Sequence, residues 1–215
     1  MPITPELLPD MISAVSDSIE KNAEEITALD QAIGDGDHVI NLRRGIQALM
    51  AQREELSRLG DWSTAWQKIG MTLMSTVGGA SGSLYGTLFV AMSKAARDRT
   101  LDLQTFADVF SQGVDSVKQR GKAEAGEKTL LDVLIPVAER LTRSAADSAA
   151  LSEVLDAIPD VAAAGMESTR DMVATKGRAS FLGERSRGHI DAGAKTMELM
   201  ICALVTVLAE SATPS

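Results

Sequence analysis

The segment LQTFADVFSQGVDSV, Leu103–Val117, carries apolar side chains at Leu103, Phe106, Phe110, Val114 and Val117. Steps of three and four residues put all five on one face of an α-helix. The same spacing recurs outward in both directions. It appears at Leu8, Met11, Ile12, Val15 and Ile19, and at Trp62, Trp66, Ile69 and Leu73. It returns at Leu130, Leu134, Val137 and Leu141, then at Leu151, Leu155, Ile158, Val161 and Met172, and finally at Met197, Ile201, Leu204 and Leu208. No stretch sustains a period of two between hairpin turns.

This pattern predicts an all-α chain of about eight helices forming one domain over residues 1–215. Breaks are expected near 30–38, 57–61, 78–83, 98–102, 121–127, 144–150 and 177–193. Most are short, which favours antiparallel neighbours in an up-and-down bundle. Alternate connections of such a bundle share an end. The first, third, fifth and seventh breaks (30–38, 78–83, 121–127 and 177–193) should therefore meet at one rim.

Composition agrees with this reading. Aromatic residues are 3% of the 215, so the core must be built from Ala, Leu, Ile, Val and the ten Met, a mix that favours helix over sheet. The formal net charge is -9, from 21 Lys+Arg against 30 Asp+Glu, which argues against nucleic-acid binding. Cys202 is the single cysteine and sits among apolar neighbours as a small core residue. The N-terminus lacks the basic and apolar regions of a signal peptide. The apolar stretch Leu199–Leu208 is too short to span a bilayer. A soluble, cytoplasmic chain with no membrane partner is expected.

Three breaks hold most of the glycine and unpaired polar chemistry. The first, LDQAIGDGDHVIN (Leu29–Asn41), gathers Asp30, Asp35 and Asp37 around two glycines. Three hard oxygen donors suit Mg²⁺ or Ca²⁺ rather than zinc, and the 12-residue EF-hand pattern is absent. The alternative is an acidic helix cap with a turn. The second, GGASGSLYG (Gly78–Gly86), can offer free backbone N–H groups and the Ser81 and Ser83 hydroxyls to an anion, or can serve close helix packing through Gly82 and Gly86. It is no Walker A loop, lacking that spacing and its lysine. The third, TKGRASFLGERSRGHIDAGA (Thr175–Ala194), places Lys176, Arg178, Arg185 and Arg187 either against phosphate or in a solvated basic loop. Both histidines, His38 and His189, lie in these breaks and are expected to hydrogen-bond phosphate or neighbouring loops. Met together at one rim, the three predict a Mg²⁺–nucleotide phosphate site.

The strings LDQAIGDGDHVIN, GMTLMSTVGGASGSLYGTLF, RGKAEAGEKTLLDVLIPV and KGRASFLGERSRGHIDAGA resemble the nucleotide-binding L subunit of bacterial dihydroxyacetone kinases, from about Asp30 to Leu208. The resemblance implies a closed barrel of eight antiparallel helices with ADP or ATP at one end. It implies that Asp30, Asp35 and Asp37 hold Mg²⁺, two ions in all. His38, Val39, Ile40 and Asn41 would lie beside the nucleotide, and Gly79, Ala80 and Ser81 would cradle phosphate. Gly121, Thr129 and Leu130 would border the nucleotide, Arg178 would act on the terminal phosphates, and Asp191, Ala192 and Gly193 would close over it. It further implies a separate K subunit that holds the ketose, and either a phosphotransferase-system M subunit or free ATP as donor. Val39, Ser83 and Ala192 depart from the residues common in that family. Two other functions would keep the same motifs: a nucleotide-loaded regulator docking on a transcription factor, and a Mg²⁺-dependent phosphohydrolase.

Overall fold

The computed structural model describes residues 3–212. The ends of the expected domain, residues 1–2 and 213–215, lie outside the described residues. A short 3₁₀ turn, Pro5–Leu7, leads into α1 (Leu8–Lys21). There follow α2 (Ala23–Ile33), α3 (His38–Ser57), α4 (Trp62–Thr76), α5 (Gly79–Ala96) and α6 (Leu103–Gly121). The chain continues with α7 (Leu131–Ala146), α8 (Leu151–Ser168), 3₁₀ segments Thr169–Asp171 and Arg178–Ser186, and α9 (Ala192–Ala212). The described residues contain no strand.

The helix count and the expected eight differ at one residue. Asn22 (φ -107, ψ 10) interrupts the helical backbone between α1 and α2, so one periodic run is divided into two helices. Taken as one bent strut, α1 and α2 leave eight struts. Neighbours run in chain order from α3 through α9, α1 packs on α3, and α9 packs on α1, so the order of neighbours closes on itself.

Pairs of contacts fix the directions. Ser63 Oγ near the start of α4 donates to Ser93 O near the end of α5, while Gly82 at the start of α5 lies against Val77 just past the end of α4. Ser13 meets Met50, and Glu20 meets Arg43, across α1 and α3. Arg120 meets Ser83, and Gly113 lies against Leu88 and Met92, across α6 and α5. Each pairing is antiparallel.

Small residues permit the close approaches. A Cβ at Gly86 would stand 2.8 Å from Gly70 O and 2.2 Å from Met74 Cγ. The packing role weighed for Gly82 and Gly86 is therefore realised. The inner faces join one apolar cluster, from Leu8 to Val207. At the second and fourth connections Asp61 and Asp102 cap their helices by accepting from Thr64 N and Thr105 N at 2.8 and 2.7 Å. Trp62, Trp66, Phe106 and Phe110 form a chain of ring contacts along these same helices, towards the rim opposite the glycine-rich connections.

Several expected boundaries move. α2 runs to Ile33, so Asp30 is helical. α5 begins at Gly79, so the expected break at 78–83 shrinks and Gly79–Ser83 form its first turns. The seventh connection opens at Thr169, which leaves Met172 outside α8, and Ala192 and Gly193 begin α9. α9 is 21 residues long, long and apolar enough to cross a membrane by length and composition alone, where a shorter segment was expected. It packs on α1, α2, α7 and α8, as one wall of the ring.

Candidate functional site

The four odd-numbered connections do meet. Asp30, Asp35 and Asp37 each bring one oxygen within 4.8 Å of the others. Two glycines make this possible for different reasons. A Cβ at Gly34 would lie 2.1 Å from Asp30 Oδ1, so only hydrogen leaves room for that carboxylate to fold back over the turn. Gly36 takes φ +77, the left-handed region that L side chains rarely enter. Asp30 Oδ2 also accepts from His38 N at 3.1 Å, which ties the carboxylate to the start of α3. Octahedral Mg²⁺ holds oxygens about 2.1 Å from itself and hence roughly 3–4 Å apart. A spread of 4.8 Å closes onto such an ion with small side-chain rotations, so the donor set and its spacing fit a hard cation.

Opposite the carboxylates, α5 starts at Gly79 (φ +66), with Gly78 as N-cap and no side-chain cap. Its first N–H groups are thus left to an outside acceptor, on the positive end of the helix dipole. Asn41 Oδ1 would stand 2.4 Å from a Cβ at Gly78, so Asn41 packs the first connection against the third. Ala80 is exposed and Ser81 half-buried. The Ser83 hydroxyl accepts from Arg120 Nε at 2.6 Å, which ties the start of α5 to the end of α6 and leaves the hydroxyl proton to donate.

The basic residues of the seventh connection divide. Arg178 Nε sits 3.0 Å from Asp35 Oδ2, with its side chain 74% exposed. Lys176 pairs with Glu127, and Arg187 pairs with Glu184 and donates to Asp171 O. Arg185 is exposed. A small apolar cluster of Ile33, Ala174 and Ala179 docks the segment on the end of α2, which brings Arg178 to the carboxylates.

His38 starts α3, and burial holds its imidazole below its ordinary pKa against the raising effect of Asp30, Asp37 and Asp35. Val39 is 3% exposed, its side chain in the core, while Ile40 is 52% exposed. The branched side chain of Val39 thus turns inward, away from the rim. His189 is exposed, and its carbonyl accepts from Lys128.

Gly121 ends α6, followed by Lys122 in the left-handed region. Thr129 N donates to Asp132 Oδ2 at 2.7 Å, and Leu130 precedes α7 beside Gly193. Asp191 caps α9 by accepting from Ala194 N at 2.8 Å. Burial pushes its carboxyl up from 3.8 to about 6, offset in part by the Ala194 N–H and Lys128. Between these values the folded chain holds more protons at Asp191 than the unfolded chain, so its contribution to stability falls as pH rises. Asp191→Asn, which keeps a capping oxygen, should remove that fall. The melting temperature of the variant relative to the parent is expected to climb from pH 4 to pH 7. A difference that stays flat over that range in thermal melts would refute the assignment.

Three contributors are not legible in the sequence. Lys128 is 1% exposed, and its ammonium donates to the carbonyls of Thr169 and His189, drawing both ends of the seventh connection together. In sequence it is one lysine in a polar turn. Tyr85 and Thr196 are buried behind His38. Tyr85, the chain's one tyrosine, lies within GGASGSLYG, the only signal of it in the sequence.

Four likenesses to known proteins bear on this site. The pattern of the DAK2 domain matches residues 32–206. The chain is 42% identical over 187 residues to the ADP-binding subunit DhaL of a PEP-dependent dihydroxyacetone kinase of Listeria innocua, covering 87% of this chain and 88% of that one. It is 40% identical over 193 residues to the ADP-binding subunit DhaL of the Escherichia coli PEP-dependent dihydroxyacetone kinase, covering 88% and 90%. Among solved structures, the dihydroxyacetone kinase of C. freundii superposes with a TM-score of 0.73 at 24% identity over 98% of this chain and 35% of that one, a likeness of fold.

Proposed function

The chain belongs to the DAK2-domain family, and from that premise we propose that it is the nucleotide-carrying subunit of a kinase for dihydroxyacetone or a related short ketose. The observation that carries this reading is the meeting of three carboxylates, an uncapped helix start and Arg178 at one rim. The likeness to ADP-binding subunits over most of both chains supports it.

In this reading Asp30, Asp35 and Asp37 hold Mg²⁺, as a pair of ions. Mg²⁺ bound there would supply charge that neutralises the phosphates. The first N–H groups of α5, at Gly79, Ala80 and Ser81, receive phosphate oxygens. His38, Val39, Ile40 and Asn41 present the first turn of α3 to the nucleotide from one side, Val39 by its backbone. Gly121, Thr129 and Leu130 border it from the fifth connection, and Asp191, Ala192 and Gly193 from the start of α9. Arg178 is the catalytic residue. Its guanidinium cannot lose its charge and can meet the charge that develops on the transferred phosphoryl group. The acceptor ketose is held by a separate K-type subunit that docks at this rim, and a phosphotransferase-system M subunit or free ATP supplies the phosphoryl group.

Reconstitution tests this directly. The chain is mixed with a K-type subunit from a DhaL-containing relative, dihydroxyacetone, Mg²⁺ and either ATP or the phosphoenolpyruvate-driven donor proteins. Dihydroxyacetone phosphate should form with one donor. Bound nucleotide without ketose phosphate from either donor would sink the kinase reading in favour of a regulator. Sustained nucleotide hydrolysis by the isolated chain would instead mark a phosphohydrolase.

A further inference from the structure

A line of side-chain hydrogen bonds runs beneath the carboxylates and joins the first and third connections to the start of α9. Tyr85 Oη lies 3.1 Å from Thr196 Oγ1. His38 Nε2 lies 3.1 Å from the same oxygen, and Ser81 Oγ lies 3.4 Å from His38 Nδ1. Thr196 is fully buried and Tyr85 is 4% exposed, so water is not there to substitute for a missing partner.

One bond with a set direction orders the others. The Gly193 carbonyl can only accept, and Thr196 Oγ1 donates to it at 3.0 Å. A hydroxyl has one proton and two lone pairs. With its proton given to Gly193, Thr196 can only accept from Tyr85 and from His38. The Tyr85 O–H and the His38 Nε2–H therefore both point at Thr196 and complete it. A neutral imidazole protonated on Nε2 has a lone pair on Nδ1. Ser81 then donates to Nδ1.

We propose that Thr196 is a positioning residue, completed by Tyr85, that holds His38 as its Nε2–H tautomer with Nδ1 turned to Ser81 as an acceptor. His38 is thus no phosphate donor, contrary to one expectation from sequence. Its ring orients the Ser81 hydroxyl and braces the first turn of α5, where backbone N–H groups remain free for an anion. The effect on nucleotide binding rests on the function proposed above, whereas the tautomer does not.

Long-range ¹H–¹⁵N NMR on the ¹⁵N-labelled full chain, above neutral pH, distinguishes the two ring nitrogens. With only two histidines, His189→Gln assigns the signals. His38 should show a protonated Nε2 and an unprotonated Nδ1. Thr196→Val, which keeps the shape and removes the acceptor, should move both signals towards a tautomer mixture, and Thr196→Ser should restore them. Tyr85→Phe should give a smaller shift in the same direction. In parallel, the ADP dissociation constant with Mg²⁺ should rise about fivefold in Thr196→Val and recover in Thr196→Ser. An Nδ1–H tautomer in the parent, or spectra and affinity unchanged in both Thr196→Val and Tyr85→Phe, would overturn the proposal. If the parent binds no ADP, the functional reading fails while the NMR still decides the tautomer.

Discussion

Asp35→Asn should lower the Mg²⁺-dependent affinity for ADP by about 100-fold or more, the upper end of what even outer partners of a metal site contribute. Asp35 is one of three carboxylates whose oxygens lie within 4.8 Å of one another. It is also the one that meets Arg178, at 3.0 Å. The amide keeps the shape and the neutral oxygen but loses the charge that a hard cation selects. Folding should be nearly untouched. The pair with Arg178 is exposed, and exposed pairs contribute on the order of 0–1 kcal/mol. Calorimetric titrations of the variant, beside its thermal melt, separate the two effects. Parent-like affinity in a folded Asp35→Asn chain would show that the triad is a capped turn, the alternative that the sequence left open.

The second large effect is on the fold. A Cβ at Gly165 would stand 2.3 Å from Asp132 O and 3.1 Å from Val133 Cα. Both atoms belong to the α7 backbone, so no side chain can swing aside. Gly165→Ala must push α8 away from α7. Overpacking of this kind costs about 3 kcal/mol. For a chain of this size that corresponds to a fall in melting temperature of roughly 6–12 °C. The displacement also reaches the rim. Asp132 holds the turn that carries Lys128, and Lys128 grips Thr169 at the end of α8. Loss of ADP affinity should therefore accompany the loss of stability. A melting temperature within a degree of the parent would mean that the α7–α8 approach is looser than the structure has it. Gly60, where an added Cβ would meet nothing within 4 Å, is the matched control and should tolerate alanine.

The helices were legible because apolar side chains at steps of three and four have one economical arrangement, a buried face. Leu103, Phe106, Phe110, Val114 and Val117 all lie in or against the core. The even-and-odd logic of an antiparallel bundle then placed Asp35, Gly79 and Arg178 at one end without any knowledge of contacts. Boundaries were less legible where small residues do double duty. Gly79–Ser83 read as a loop by composition, yet they form the first turns of α5, since the glycines there serve close approach to α4. Ser83 accepts from Arg120, a partner 37 positions away that no local pattern reveals. Lys128 and Thr196 escaped for the same reason. A lysine in a polar turn and a threonine on a helix carry no mark of burial in one dimension. Their roles exist only once four connections have closed around them.

The most direct test of the central claim is a calorimetric titration of ADP into the parent chain, once with Mg²⁺ and once with the metal chelated. Saturable binding with Mg²⁺, lost on chelation, is the predicted result. No binding at millimolar ADP with Mg²⁺ present, or binding of equal strength with the metal removed, would contradict a metal–nucleotide site at this rim.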